Sequence, residues 1–182
     1  MAFCRALPRR GRRRALLLVP LLALALLVVP QPSAGASAPH TAATARIYAN
    51  AMLRLLNRER SWHHLRPLTM NAKLIHSAHL HNTRMARANE LSHQLPGEAF
   101  FATRITRAHY RWIAAGENIG WNSRMTWAGL RQLETMMFRE RPPNNGHRLN
   151  ILSRTFRNVG IDVYFDNAHH KMWFTQDFGR WG

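Results

Sequence analysis

The spacing of apolar residues predicts helices through most of the chain and two strands near its end. Ile47, Ala51 and Leu55 recur at four-residue intervals, which is typical of a helix, here over residues 42–60. Similar stripes predict helices over residues 68–91 and 125–139 and a short one over 98–108, within a loop-rich stretch over 92–115. Extended, β-like segments over 158–165 and 171–178, joined by a turn at 166–169, predict a hairpin. Helices followed by a terminal hairpin indicate an α+β fold with a single domain.

The first 36 residues have the three parts of a secretory signal peptide. Six arginines without an acid precede an apolar run over residues 15–29, and Ala34-Gly35-Ala36 supplies small residues for cleavage after Ala36. The run of about 15 residues is shorter than the roughly 20 needed to span a bilayer, which favours a signal peptide over an uncleaved anchor. Residues 37–45 are then expected to be a flexible leader, and residues 46–180 the domain. This organisation predicts a secreted protein, outside the cell or at its envelope.

Cysteine content indicates how the domain is stabilised, and its net charge indicates which partners it could bind. The single cysteine, Cys4, is removed with the signal peptide, so the mature domain is predicted to be held by packing without disulfides. Without the six signal arginines, 20 Lys and Arg face 9 Asp and Glu. This excess favours an anionic envelope polymer, an anionic lipid or an anionic glycan as partner. Export disfavours nucleic acid. A solvated, arginine-rich surface without a partner is the simpler alternative.

Two histidines and two glutamates lie in three polar segments. His93 follows Ser92, Glu117 lies in Gly-Glu-Asn-Ile-Gly, and Glu140 and His147 lie in the stretch from residue 140 to 152. A fold that brings these side chains together could chelate a metal ion or carry out acid–base chemistry.

These segments, in this order, resemble the CAP superfamily of cysteine-rich secretory, antigen 5 and pathogenesis-related 1 proteins, in particular its bacterial SCP-like extracellular branch. The resemblance covers residues 47–178 and includes Gly146-His147-Arg148-x-Asn150-Ile151-Leu152 and a closing Gln176-Asp177-Phe178-Gly179. It implies a three-layer α/β/α sandwich around a small antiparallel sheet.

The resemblance also implies a cleft formed by His93, Glu117, Glu140 and His147. Glu134 is the competing choice for the second glutamate, but an offset of six residues on a helix turns it away from the face of Glu140. Two imidazoles with one or two carboxylates suit zinc or another divalent ion. The alternative is that the four groups hydrogen-bond one another and only pin the segments together.

Three functions are compatible with these residues. The first is a secreted protein that binds a divalent metal or a polar ligand at the cell envelope. The second is a metal-assisted envelope hydrolase acting on peptides or the cell wall, although the sequence has no Gly-x-Ser-x-Gly elbow and Ser92 is expected to orient its loop. The third is a lipid or sterol carrier. Catalytic residues are not assigned.

Overall fold

A four-stranded sheet lies between two layers of helices in residues 40–182, the part of the chain that this computed structural model describes. The predicted signal peptide and residues 37–39 of the predicted leader lie outside the described residues. Within residues 40–182, no helix is long and apolar enough to cross a membrane.

The helices and strands follow one another as the hydrophobic pattern broadly predicts. Their bounds are α1 Ala42–Trp62, β1 Thr69–Met70, α2 Ala72–Ala88, α3 Phe101–Arg107, β2 Trp112–Asn122, α4 Trp127–Phe138, α5 Gly146–Ile151, β3 Asn158–Asp166 and β4 Lys171–Trp181. The last four residues of the predicted leader, 42–45, therefore belong to α1.

The strands are ordered β1-β3-β4-β2. The long strands pair in antiparallel fashion, whereas the short β1 runs parallel to β3. The predicted α+β sandwich is confirmed, with a sheet that is mixed because of β1.

Each face of the sheet is covered by a separate apolar cluster. On one face, α1, α4 and α5 contribute Met52, Leu56, Leu130, Leu133 and Ile151 to a core that also contains Phe174 and Phe178 of β4. On the other face, α2 and α3 contribute Leu74, Met85 and Ile105, which pack near Tyr110 and Trp173.

The start of the second helix was predicted wrongly. Thr69 and Met70 do not begin α2 but pair with the first residues of β3. The Asn71 side chain accepts hydrogen bonds from the backbone N–H groups of Lys73 and Leu74, so it caps the helix that begins at the next residue.

Two elements that carry site residues were not predicted. The Gly-Glu-Asn segment was assigned to no helix or strand, but it lies inside β2, which pairs with β4 over almost its whole length. His147 lies on the short helix α5. The third helix α3 begins at Phe101, so Glu98 precedes it instead of starting it.

Candidate functional site

The four predicted side chains line one cavity of about 660 Å³. His93 comes from the loop after α2, Glu117 from β2, Glu140 from the loop after α4, and His147 from α5. Phe100, Phe101 and Leu149 form the apolar part of the wall.

The first half of the cavity is an imidazole–carboxylate pair between a loop and the sheet. His93 Nδ1 lies 2.8 Å from Glu117 Oε1. The Glu117 side chain is fully buried, whereas 49% of the His93 side chain is exposed. The histidine is therefore the member of the pair that solvent reaches.

Arg104 of α3 holds this pair in place. Its guanidinium donates to Glu117 Oε2 and, through Nη1, to the backbone carbonyl oxygens of His93 at 2.8 Å and Ala99 at 3.0 Å. One buried cation thus binds both the carboxylate and the loop that carries the imidazole, which is the arrangement that the planar, multidentate arginine side chain suits.

A second polar layer lies behind Glu117. The buried His81 places Nδ1 3.0 Å from Glu98 Oε1 and Nε2 4.0 Å from Glu117 Oε2. Asp177 is the cross-strand neighbour of Glu117 and is also fully buried. Burial lowers the pKa of His81, and burial together with the charge of Glu117 raises the pKa of Asp177 well above its ordinary value.

The charge of Glu117 results from opposing effects. Burial alone raises the pKa of this carboxyl, but the hydrogen bond with His93 and the positive charge of Arg104 outweigh burial, so the pKa falls below its ordinary value. Glu117 is therefore ionised at neutral pH.

The second half of the cavity is a similar pair in a more exposed setting. Glu140 Oε1 lies 2.5 Å from His147 Nδ1. Glu140 Oε2 accepts from the backbone N–H groups of His147 at 3.0 Å and Arg148 at 3.3 Å, which belong to the first turn of α5. The side chain of Asn145, the residue before this helix, makes no capping hydrogen bond. Glu140 therefore caps α5 and orients His147 at once.

Two asparagines connect the halves. Asn150 Nδ2 donates to the carbonyl of Glu117 at 3.2 Å and to Asn118 Oδ1 at 2.9 Å, and Asn118 donates to the carbonyl of His147 at 3.3 Å. A Cβ atom at Gly116 would lie 2.7 Å from Asn150 Oδ1 and 2.9 Å from Phe156 Cζ, so a side chain here would displace Asn150 or Phe156.

Glu134, the competing choice for the second glutamate, lies elsewhere. It is fully buried, and its Oε2 accepts from Gln176 Nε2 at 2.7 Å. Glu140 instead lies outside α4 and lines the cavity, so the prediction that the two glutamates share one helix is wrong.

The other polar residues weighed from the sequence lie outside this arrangement. Ser92 Oγ donates to the carbonyl of Gln94 at 2.9 Å, as expected for a residue that orients its loop. On α2, His79 contacts Asp162 at 3.2 Å, and His76 is exposed. Glu98 contacts His81 in the interior.

Both cavity histidines present the same nitrogen to a carboxylate. An ionised carboxylate can only accept, so a pair of this kind places the proton on Nδ1 and leaves Nε2 as the nitrogen with a free lone pair. In zinc proteins, carboxylates commonly orient ligating histidines in this way. Within residues 40–182, no three or more His, Cys, Asp or Glu side chains are already grouped as a metal site.

Arg104, His81 and Asp177 were not predicted from the sequence as residues of the site. Asp177 lies in the closing Gln-Asp-Phe-Gly segment that was used only for the resemblance. Arg104 and His81 lie on predicted helices, where a single arginine or histidine is normally a surface residue, so only the folded arrangement identifies them.

Comparisons with known proteins identify the family and the fold. The profile of the cysteine-rich secretory protein family, CAP, matches residues 53–178. An extracellular protein containing an SCP domain from Bacillus anthracis is 26% identical and superimposes with a TM-score of 0.65, covering 79% of this chain and 45% of the other. This chain thus spans less than half the length of that relative.

Two further solved structures share the fold. An outer surface protein from Borrelia burgdorferi has a TM-score of 0.65 at 12% identity, covering 75% of this chain and 95% of the other. A cysteine-rich secretory protein from Staphylococcus aureus has a TM-score of 0.54 at 18% identity, covering 76% of this chain and 40% of the other. A search among curated proteins gives no match. The family match extends over most of the chain and includes all four cavity residues, so this chain belongs to the cysteine-rich secretory protein family, CAP.

Proposed function

We propose that this chain is a secreted binding protein of the bacterial cell envelope whose cleft takes up a divalent metal ion such as zinc. The observation that carries the proposal is the pair of imidazoles in one cavity, each with Nδ1 against a glutamate. His93 and His147 would be the ligands through Nε2. Glu117 and Glu140 would orient them, a role more specific than direct ligation by all four residues.

A bound zinc ion would offer Lewis-acid character and open coordination positions to a polar ligand. The protein would supply the orientation of the ligands. Arg104 keeps Glu117 ionised, and the backbone N–H groups of α5 hold Glu140, so the imidazoles are oriented before an ion arrives.

Calorimetric titration with zinc tests the ligands. The double variant His93→Ala/His147→Ala should lose zinc binding. Glu117→Gln and Glu140→Gln should each weaken binding by roughly 10–100-fold, the usual effect of removing a partner that orients a metal ligand. Affinity should also fall at acidic pH, because an imidazole binds metal only when it is neutral.

The matched controls are His76→Ala/His79→Ala on α2 and Glu134→Gln in the core, which should leave zinc affinity unchanged. Thermal melting of each variant establishes that it is folded. If the folded His93→Ala/His147→Ala variant binds zinc like the parent, the two pairs are hydrogen-bonded clasps and the metal proposal is wrong.

The same proteins separate binding from hydrolysis. A binding protein should take up zinc and leave peptides and peptidoglycan intact. Cleavage by the parent that is lost in His93→Ala/His147→Ala would identify a metal-assisted hydrolase instead.

Export is part of the proposal and has its own test. The relatives with solved structures include proteins described as extracellular or outer surface. The protein recovered from culture medium should begin at Ser37. Retention in the membrane with an intact Met1 would contradict export by a cleaved signal peptide.

A second candidate function, lipid carriage, is favoured by a groove of about 760 Å³ between α1, α2 and β3. Ala45, Ala49, Ile161, Val163 and Phe165 give it a mainly apolar wall. Ala45→Phe would fill the groove, and Ala43→Phe would place the same ring on an exposed position of α1. Lipid carriage predicts that the parent and Ala43→Phe retain palmitate while Ala45→Phe does not. Equal retention of palmitate by all three proteins would exclude this groove as a lipid-binding site.

A further inference from the structure

A pocket of about 340 Å³ near the C-terminal end of α1 has a mainly basic wall. It is lined by Arg60, His64, Leu65, Arg66, Arg154 and Arg157. These residues belong to the end of α1, the loop that follows it, and the loop between α5 and β3. None of them lines the cavity of His93, Glu117, Glu140 and His147, so the two sites share no side chain.

Arg60 is the unusual member because it is fully buried, with 0% exposure. Nε donates to the carbonyl of Arg66 at 3.0 Å, and Nη1 donates to the carbonyls of Ile151 at 2.6 Å and Ser153 at 3.0 Å. These oxygens accept hydrogen bonds from Nε and Nη1 but provide no full negative charge. Among the ion pairs of residues 40–182, Arg60 has no carboxylate partner.

A buried charge without a counter-charge is unfavourable. Burial, followed by the repulsion of Arg157, lowers the pKa of Arg60 from its ordinary value. The pocket therefore contains the buried, hydrogen-bonded cation of Arg60 and a second cation, Arg157, close enough to repel it. An anion in the pocket would relieve both effects.

Arg157 is also held in place. Its Nη1 donates to the carbonyls of Arg154 at 2.7 Å and Phe156 at 2.9 Å, which leaves the rest of the guanidinium for a ligand. Arg66 and Arg154 are exposed. In residues 40–182, none of these three arginines is paired with an acid, and no acidic side chain lines the pocket.

We propose that this pocket binds a phosphate group. Arg66, Arg154 and Arg157 would contact the phosphate oxygens, while the buried Arg60 supplies positive potential from below. Arginine suits this role because its planar guanidinium donates two parallel hydrogen bonds to phosphate oxygens. Soluble phosphate polymers and phospholipid headgroups both carry this group, and the overall positive charge of the chain would steer either toward the pocket.

The first experiment is a calorimetric titration of the folded protein with inorganic phosphate, at constant ionic strength set with chloride. The parent should bind phosphate saturably. Arg66→Gln/Arg154→Gln removes two exposed charges and should weaken binding at least about tenfold, since charge-assisted hydrogen bonds to phosphate are the strong ones. Arg54→Gln/Arg58→Gln removes the same charge from exposed positions of α1 and should stay within about twofold of the parent.

A parent that does not bind phosphate saturably, or equal losses in both double variants, would overturn the proposal. The second experiment identifies the source of the phosphate, using polyphosphate and vesicles of phosphatidylglycerol or phosphatidylcholine. Binding to phosphatidylglycerol vesicles that only Arg66→Gln/Arg154→Gln loses supports a lipid headgroup. Binding to polyphosphate alone, with the same loss, supports a soluble phosphate polymer.

Discussion

Glu117 and Glu134 are buried to almost the same extent, yet the pKa values of their carboxyl groups move in opposite directions. Glu117 is 4% exposed, and its pKa is lowered because His93 and Arg104 outweigh the effect of burial. Glu134 is 0% exposed, and its pKa is raised well above the ordinary value by burial and by the neighbouring carboxyl of Glu59.

The difference shows that partners, rather than burial, decide the charge of a buried carboxyl in this domain. Glu117 faces cationic groups and can orient an imidazole as an anion. Glu134 faces a second acid and the neutral Gln176, so it and Glu59 share protons as a coupled pair. One glutamate belongs to the cleft, and the other belongs to the core.

Neutral amides link these two environments. Gln176 donates to Glu134 at 2.7 Å and accepts from Asn118 at 3.0 Å, and Asn118 lies next to Glu117 in β2. The core pair of Glu59 and Glu134 is therefore connected to the cleft by hydrogen bonds. Substitutions can still change each of the two regions separately.

The largest expected effect comes from removing the cation beside Glu117. Arg104→Met leaves Glu117 buried without its charged partner and also releases the loop that carries His93. The free energy of unfolding should fall by about 3–5 kcal/mol, as for other buried pairs that lose one member. Urea unfolding at neutral pH measures this change.

The double variant Arg104→Met/Glu117→Gln is the matched control. It removes the orphaned charge, so it should be more stable than Arg104→Met alone, although it should still bind zinc poorly. A loss below about 1 kcal/mol in Arg104→Met would contradict the comparison, because it would put this pair in the range of exposed ion pairs.

The next effect is a dependence of stability on pH that originates in the core pair. Burial raises the pKa of Glu59 to about 7, although the hydrogen bond with Glu134 and the positive charge of Arg148 both act to lower it. An unfolded glutamate titrates near pH 4.3, so the folded state binds protons more tightly. This contribution to stability is complete below about pH 4.3 and is lost as the pH rises to about 7, which should amount to about 1–3 kcal/mol.

Urea unfolding between pH 5 and 8 should reveal this decline, and Glu59→Gln should flatten it. Glu117 has the opposite sign: its lowered pKa gives stability above about pH 4.3 that disappears as the pH falls through the folded pKa. If the parent and Glu59→Gln have the same pH profile, the core pair does not hold the extra proton.

The elements that the sequence predicts well are those with a regular local pattern. The stripes of α1 and α4 and the hairpin of β3 and β4 depend on residues close in sequence, and their predicted bounds differ from the observed ones by only a few residues. In contrast, β1 consists of two residues and exists because it pairs with β3, almost ninety residues later. No local pattern could predict it.

In the site, too, some residues could be identified from the sequence and others could not. The resemblance identified His93, Glu117, Glu140 and His147, and the structure places all four at one cavity. It could not identify the residues that hold them in place, because Arg104 reaches Glu117 of β2 from the separate helix α3. The strand character of the Gly-Glu-Asn segment was hidden too, since its glycines suggest a turn, while pairing with β4 determines the conformation.

The smallest expected change in stability belongs to the second cleft pair. The Glu140 side chain is 23% exposed, and its hydrogen bonds go to His147 and to two backbone N–H groups of α5. Glu140→Ala removes a cap without stranding a charge, so it should lower the free energy of unfolding by only about 1 kcal/mol.

Zinc binding should nevertheless suffer in Glu140→Ala, by about tenfold or more, because His147 loses the carboxylate that orients it. Glu90→Ala, which removes an exposed acid after α2, is the control and should change neither quantity. Together with Arg104→Met, this variant separates two requirements of the cleft: a neutralised buried charge on the β2 side and an oriented imidazole on the α5 side. A loss of stability in Glu140→Ala as large as in Arg104→Met would mean that both halves are equally built into the core.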